Sequence, residues 1–330
     1  MMRVLLPIVA FVFVCASCLE QGPPVGSPLM PPSDKTDVYP QTDVGRLLKN
    51  SYKAEKVIDI LWDTTYNVTT GLDYYQFQLL TYDREKLDTY LLRVDPSKDL
   101  ELKVGVSKKT TSSSWHKQVL TKMAAEMSTS SHPVYAMVNG DFCDNRTPIR
   151  PRGPVHSEGE ILAQGYSLDY SKPAYYKHQG VSYLGVTFDG QMTIGPTADY
   201  ESAKSTLKEC TGGGLILVKD FEIQGGLVEW NTDRDPRTAV GYTSDNIVWI
   251  LAVDGRHKGT EGMSYEEMAS IFHGLGCKDA VNLDGGGSTE MVLRHPYSGK
   301  IIICNWPSDP TDGEGGVERE RPTTWAVVKR

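Results

Sequence analysis

The stretch from Arg237 to Thr289 constrains the fold most, because it reads as strand, turn, strand, helix, strand and glycine turn in that order. Thr238 to Thr243 and Ile247 to Asp254 are strand-like and are separated by the turn formers Ser244-Asp245-Asn246, so a hairpin is expected. If Thr243 pairs with Ile247, antiparallel counting brings Arg237 opposite Val253 and therefore beside Asp254. Ser264 and Glu267 then form a capping-box pattern, and Met268, Ile271, Phe272 and Leu275 supply the apolar face of a helix that Gly274 and Gly276 can stop. Ala280-Val281-Asn282-Leu283-Asp284 follows as a short strand that runs into Gly285-Gly286-Gly287-Ser288-Thr289.

A helix between two strands normally makes those strands parallel neighbours, and parallel strands present their carboxyl ends at one sheet edge. Residues 247–284 are therefore expected as a β-α-β unit whose strands deliver Asp254 and Asp284 to a common crevice. Ligands of open α/β sheets favour that edge, and a glycine turn there can aim backbone N–H groups at an anion. Arg237, Arg256 and the glycine run together compose an anion pocket. The glycine run alone is weak evidence, since it lacks the lysine of a phosphate-binding P-loop and the spacing of a dinucleotide fingerprint.

Between about Glu55 and Val106 apolar and polar residues alternate, as in Tyr74 to Tyr82 and Leu87 to Val94, which predicts an antiparallel meander. Trp115, Val119, Leu120, Met123, Ala124 and Met127 lie at helical spacing and predict a helix over Ser114 to Met127. That helix feeds an apolar strand, Val134 to Val138, which ends in Asn139-Gly140-Asp141-Phe142. The fold class that results is mixed α/β: a mixed sheet core with the β-α-β unit at 247–284 and an N-terminal antiparallel meander.

Arg3, the apolar run Val4 to Val14 and Cys15-Ala16-Ser17-Cys18 read as a signal peptide, since a bilayer span needs roughly 20 apolar residues. Small residues before a cysteine match a lipobox, with Cys18 the residue lipidated. The Pro, Gly and Ser of residues 19–40 cannot bury apolar surface and make a tether. Residues 41–110 then form a β-rich segment packed on the main domain, residues 111–330, which carries the candidate site residues. An exported, lipid-anchored protein on a cell envelope is expected, in membrane contact through the anchor only.

The net charge of −8 has no basic block to offset it, which argues against a nucleic-acid partner. Cys143, Cys210, Cys277 and Cys304 lack the paired spacing of a zinc site and read as disulfides or buried thiols. Asn67 and Asn145 stand in Asn-x-Thr sequences, which matter only in a eukaryotic secreted protein. No His-Glu-x-x-His and no Gly-x-Ser-x-Gly occurs, which disfavours zincin and serine-hydrolase chemistry. No metal site and no cofactor is expected. Asp309 to Glu314 is acidic enough to hint at Ca²⁺, but EF-hand spacing is missing and a solvated loop is the simpler reading. Trp230, Tyr242, Trp249, Trp306 and Trp325 read first as core, with a sugar-stacking platform among them as the alternative.

The ordered segments Val138-Asn139-Gly140-Asp141-Phe142, Arg237-Thr238-Ala239-Val240-Gly241, Val253-Asp254-Gly255-Arg256 and Asn282-Leu283-Asp284-Gly285-Gly286-Gly287-Ser288-Thr289 together resemble the phosphodiester glycosidase family. The resemblance runs over roughly residues 50–330 and includes Arg321-Pro322. It implies an α/β catalytic domain acting on a glycosyl phosphodiester, with an N-acetylglucosamine-like sugar. Under that resemblance Asp284, Asp254 and Asp141 are the catalytic candidates. Arg237, Arg256, Arg321, Asn139, Gly140, Asn282, Gly285, Gly286, Gly287, Ser288 and Thr289 are the substrate and phosphate contacts. Two other classes fit the same residues: a noncatalytic surface lipoprotein that binds anionic glycans, and a phosphodiesterase that breaks the P–O bond.

Overall fold

The computed structural model describes residues 39–144, 148–165, 178–230, 234–257, 259–309 and 316–330. The signal peptide, Cys18 and most of the tether lie outside the described residues, as does Asn145. No helix among the described residues is long and apolar enough to cross a membrane.

The chain opens with α1 (Asp43–Asn50), β1 (Val57–Thr69), β2 (Leu72–Thr81), β3 (Lys86–Val94), β4 (Leu100–Val106), α2 (Leu120–Met127) and β5 (Val134–Asn139). Short strands follow: β6 (Cys143–Asp144), β7 (Arg150–Pro151), β8 (Pro154–Ser157), β9 (Glu160–Gln164), β10 (Ser182–Thr187) and β11 (Met192–Pro196). After α3 (Tyr200–Ala203) come β12 (Leu207–Gly213), β13 (Ile216–Lys219), β14 (Glu222–Ile223) and α4 (Leu227–Trp230). The last stretch is β15 (Arg237–Tyr242), β16 (Val248–Val253), α5 (Tyr265–Gly274), β17 (Asp279–Asn282), β18 (Met291–Arg294), β19 (Ile301–Ile303) and β20 (Thr323–Lys329).

The largest sheet has the order β1-β2-β3-β16-β15-β17-β13-β14, so the N-terminal meander continues directly into the later strands through β3 and β16. Two further sheets, β11-β10-β12-β8-β9 and β19-β18-β5-β20-β4, complete the architecture. The central strands β15, β16 and β17 of the large sheet are buried on both faces, and the period-two alternation of strands sorts the residues of the sheet between two cores. Leu91, Leu251 and Val253 join Leu48, Met268, Ile271 and Phe272 beneath α1 and α5. Their neighbours Leu92, Ile250 and Ala252 join Leu102, Val138, Leu184 and Trp325 from the other two sheets. This double burial explains why β16 reads Val-Trp-Ile-Leu-Ala-Val with no polar alternation. A third cluster packs α2 through Leu120, Met123 and Ala124 onto Met137, Val292 and Ala326.

The mixed fold is as expected, dominated by strand, and the hairpin register holds residue for residue: Arg237 faces Val253. The arrangement of the β-α-β unit differs in one respect. β16 and β17 are not neighbours, because β15 lies between them and pairs antiparallel with both. The α5 crossover thus skips a strand. Since β16 and β17 each oppose β15, they still run in the same direction and end at the same edge. Helix α5 begins as expected, with Ser264 Oγ accepting from Glu267 N and Glu267 Oε2 accepting from Ser264 N. Helix α2 begins later than expected, at Leu120, because Gln118 is drawn into a two-way backbone pairing with Arg321 that a helical Gln118 could not make.

Candidate active site

The first turn of β15 organises the site. Arg237 opposes Val253 on one side, and Ala239 opposes Asn282 on the other, with Leu283 N donating to Thr238 O at 2.8 Å. Arg237 is thereby held between the end of β16 and the end of β17. The end of β5, from a different sheet, is clasped to the same place by Asn139, whose Nδ2 donates to Asp284 O at 2.6 Å. Asn139 Oδ1 accepts from Thr238 Oγ1 at 2.7 Å and from Glu290 N at 3.2 Å, and Asp284 N donates to Gly140 O at 3.1 Å. Asn282 performs a like task one layer down, accepting from Leu215 N and donating to Leu283 O. Both asparagines are almost fully buried, so they form the floor that joins the sheets and do not line an open surface.

The three aspartates differ sharply in what they have left to offer. Asp254 is buried, and its two oxygens accept from Tyr90 Oη at 2.8 Å, Asn305 Nδ2 at 3.0 Å and Trp306 N at 3.0 Å. Burial pushes its carboxyl up to about 7 against those hydrogen bonds. Asp141 is also buried; Oδ1 accepts from Phe142 N and Oδ2 from Gly153 N, at 2.8 and 2.7 Å. Gly212 presses on it so closely that a Cβ there would collide with the carboxylate. Burial raises Asp141 to about 7, with the charge of Asp284 adding to the rise and the two N–H donors and Arg152 opposing it. Asp284 alone keeps an open face, its side chain 18% exposed. Ser288 Oγ donates to Oδ2 at 2.6 Å, Gly285 N donates to Oδ1 at 3.0 Å, and Arg321 Nη1 stands 3.6 Å from Oδ2. Burial raises its carboxyl as well, with the charge of Arg321 the main opposing effect.

The glycine turn serves the site by being narrow. Gly285 N, Gly286 N, Ser288 N and Thr289 N all donate within the turn or to Pro236 O, so those amides do not form the expected cradle for an anion. Instead arginine side chains lie against the glycines, with a guanidinium group at Gly286 and at Gly287. Gly285 is next to the Arg237 stem, a Cβ on Gly286 would stand 2.9 Å from Arg256 Nη2, and one on Gly287 would strike Arg319 and Asp309. Gly286 also has φ +60°, a conformation that favours glycine. Arg256 is exposed and paired with Asp235 at 2.9 Å; Arg319 makes a two-pronged pair with Asp309. Arg321 is buried behind Asp284. Guanidinium groups are suited to phosphate oxygens, and two of the four here, those of Arg256 and Arg319, already hold Asp235 and Asp309.

Tyr265, at the start of α5, sits beneath Arg237, and His178 lies between Tyr265 and Phe142, with ring centres 6.3 and 5.7 Å apart. Burial and the charge of Arg237 lower His178 to about 4, which keeps it neutral. Sequence reasoning misses Tyr265, His178 and Arg319. The Arg-x-Arg spacing of Arg319 and Arg321 is the available signal for the last; nothing local marks the other two. Of the aromatic residues that could form a sugar platform, Tyr242, Trp249 and Trp325 are core and Trp306 is half-buried at the rim, its backbone N–H held by Asp254. Cys210, Cys277 and Cys304 carry thiols, not disulfides. Asp309, the described part of the acidic stretch, is engaged by Arg319. Among the described residues no three His, Cys, Asp or Glu side chains converge as a metal shell would require.

A model of the phosphodiester glycosidase family matches residues 132–328, which spans every one of these groups except those of β1 to β4. The SPbeta prophage-derived uncharacterized protein YomE of Bacillus subtilis (strain 168) is 32% identical over 113 residues, covering 30% of this chain and 18% of that protein. The chain thus spans less than a fifth of that relative's length. Among solved structures, the zebrafish N-acetylglucosamine-1-phosphodiester alpha-N-acetylglucosaminidase catalytic domain, auto-inhibited by its pro-peptide, superposes with TM-score 0.59 at 16% identity over 88% of this chain and 95% of that one. A hypothetical protein from Synechocystis superposes with TM-score 0.55 at 16% identity, over 81% of this chain and 64% of that one. At such identities these two speak for the fold alone.

Proposed function

The chain belongs to the phosphodiester glycosidase family, and on that premise we propose that it hydrolyses a sugar-1-phosphodiester at the bond between the anomeric carbon and the phosphate oxygen. The products are the free sugar and a phosphomonoester. The observation that carries the reading is the pairing of one accessible carboxylate, Asp284, with the guanidinium groups around Gly285 to Gly287.

In this reading Arg237 and Arg256 hold the non-bridging phosphate oxygens and disperse the charge that builds on the leaving group as the C–O bond breaks. A phosphodiester leaves as a stable anion, so the reaction asks little of a general acid. Asp284 faces the anomeric carbon, where its negative charge stabilises the oxocarbenium-like transition state or takes a proton from the attacking water. Water supplies the hydroxyl that ends on the sugar, and its proton leaves to solvent or to the phosphate. Asp141 and Asp254 act indirectly: the first fixes the loop at Gly153 and the second fixes Trp306 at the rim.

The sugar named for the zebrafish neighbour makes N-acetylglucosamine the first substrate to test. Export with Cys18 as a lipid anchor belongs to the same proposal, and loss of membrane fractionation in Cys18→Ala checks it. The reaction itself is checked by turnover of sugar-1-phosphodiesters in H₂¹⁸O: label entering the sugar supports C–O cleavage, and label entering the phosphate overturns it.

A further inference from the structure

A groove of about 660 Å³ lies beside the site, and the proposed reaction does not use it. Its walls are residues 112–115, residues 148–151 around β7, and residues 161–165 along β9. Each wall is tied within a few residues to a group at the site. Gln118 exchanges two backbone hydrogen bonds with Arg321, at 3.0 and 2.8 Å, and Arg321 stands against Asp284. Three residues of chain reach at most about 11 Å, so the Trp115 backbone lies no farther than that from Gln118. Pro151 pairs with Cys143, close behind Asp141, while Arg152 N and Gly153 N donate to Phe142 O and Asp141 Oδ2 at 2.8 and 2.7 Å. Strand β9 is laid along β8, which starts at Pro154 directly after Gly153.

We propose that this groove receives a further sugar, carried by the one whose anomeric bond is cleaved, so that the product released is an oligosaccharide and not a single sugar. The inference deepens the proposed function and rests on it. The side on which the groove meets the site decides the occupant. Arg321 and Asp141 flank β20 and β5, whereas Arg237 and Arg256, the phosphate contacts of the proposed reaction, belong to β15 and the end of β16, in a different sheet. Asp284 stands between the two sets, its N–H on Gly140 O and its neighbour Gly285 against the Arg237 stem. With the phosphate on the arginine side and the anomeric carbon at Asp284, the far end of the sugar faces the groove. The lining has the chemistry of sugar recognition. Trp115 packs on the second core and lines the groove as well. Ile161, Leu162 and Ala163 line it in succession, because a bulge at Leu162 between the pairs Val155–Ala163 and His156–Ile161 interrupts the alternation of β9. Each wall also carries polar groups: the serines at 112–114, Arg150 and Gln164. Apolar surface ringed by hydroxyl, amide and guanidinium groups suits the C–H face and the hydroxyls of a sugar, and it is interrupted too often to hold a hydrocarbon chain.

Kinetics of the full chain on a set of synthetic phosphodiesters test this. The reference is the methyl phosphodiester of N-acetylglucosamine. Others extend that sugar by a second N-acetylglucosamine at its 3-, 4- or 6-hydroxyl, replace its acetyl group by hexanoyl, or keep the single sugar and replace methanol by a disaccharide. At least one ester extended on the cleaved sugar is expected to exceed the reference in kcat/KM by about tenfold or more, through KM, and to lose that advantage in Trp115→Ala and in Ile161→Ala. Ile161 is 37% exposed on an edge strand, so its variant reads the groove even where loss of Trp115 disturbs the fold. The inference falls if no extended sugar outruns the reference, if both variants leave the advantage intact, or if the hexanoyl ester gains instead. It falls too if the variants impair the ester extended on the alcohol and spare those extended on the sugar. Should no ester be turned over, titration calorimetry with mono- and disaccharide 1-phosphates reads the groove apart from the reaction. Tighter binding of a disaccharide, lost in Ile161→Ala, keeps the groove and overturns the proposed reaction; equal or absent binding overturns the groove as well.

Discussion

The guanidinium carbon of Arg237 lies 4.3 Å from the centre of the Tyr265 ring, and Arg237 Nε donates to Met263 O at 2.9 Å. Both contacts come from the lead into α5, a segment that follows β16 in the chain and has no strand of its own at the site. The helix therefore does more than cover the sheet: its first turn fixes the direction in which the arginine of β15 can point. The capping box at Ser264 and Glu267 acquires a functional meaning from this, because it sets where Tyr265 begins the helix.

Tyr265→Leu should weaken substrate binding more than it slows the chemical step. A cation over an aromatic face contributes about 0.5–2 kcal/mol, the upper end applying away from water, so KM for a phosphodiester should rise roughly 2- to 30-fold. Tyr265→Phe keeps the ring but gives up the hydroxyl that Arg237 also engages, so its KM should fall between those of the parent and Tyr265→Leu. Steady-state kinetics on both variants separates the two effects, and a Tyr265→Leu variant with unchanged KM would remove Arg237 from phosphate binding.

Much of this site is legible in the sequence, and the reasons differ by residue. A three-residue turn leaves a hairpin almost no freedom of register, so the pairing of Arg237 with Val253 follows from counting. Strand order across a sheet is not encoded locally, so nothing in the residues between 247 and 284 reveals that β15 slides between β16 and β17. Asn139 and Asn282 are recognisable as strand-end polar residues, but only their hydrogen bonds distinguish a clasp from a ligand. The glycine turn reads in sequence as a source of N–H donors, whereas its role in the fold is to let arginines approach. His178 and Tyr265 sit in local sequence of no special pattern and enter the site through tertiary packing.

Gly286→Ala tests that role of the turn. The new methyl group would stand 2.9 Å from Arg256 Nη2, and the left-handed backbone adds about 1–2 kcal/mol of strain. Arg256 is the flexible partner and should yield, so the expected result is a folded protein, a few degrees less stable, with a several-fold higher KM. Gly287→Ala meets the Arg319–Asp309 pair and should be worse in both respects. Circular dichroism melts alongside kinetics would show whether binding falls further than stability.

The carboxyl of Asp141 gives a pH signature in stability. Its folded value of about 7 lies above the ordinary value of about 3.9, so the contribution is complete below pH 4 and is lost progressively as pH rises to 7, then changes no further. Asp141→Asn removes that titration. The melting temperature of the variant minus that of the parent should therefore climb between pH 4 and pH 7 and level off above, whatever its absolute offset. A difference that declines over that interval would mean that Asp141 is an ordinary paired carboxylate, ionised throughout.

Asp284→Asn and Asp254→Asn should fail in opposite ways, and the contrast decides which carboxylate meets the substrate. Asp284 is partly exposed, and an amide can still accept from Ser288, so the fold should survive while kcat falls by about 10² or more, the scale of a lost catalytic carboxylate. Asp254 is enclosed by donors from β3 and from the Asn305-Trp306 segment, and an amide would turn an N–H₂ group toward Tyr90, Asn305 or Trp306 N. Leaving such a buried donor facing another costs about 1–3 kcal/mol, so Asp254→Asn should melt several degrees lower. Residual activity per folded molecule should then exceed that of Asp284→Asn. Were Asp254→Asn to fold as well as the parent and lose all turnover, the roles of the two aspartates would have to be exchanged.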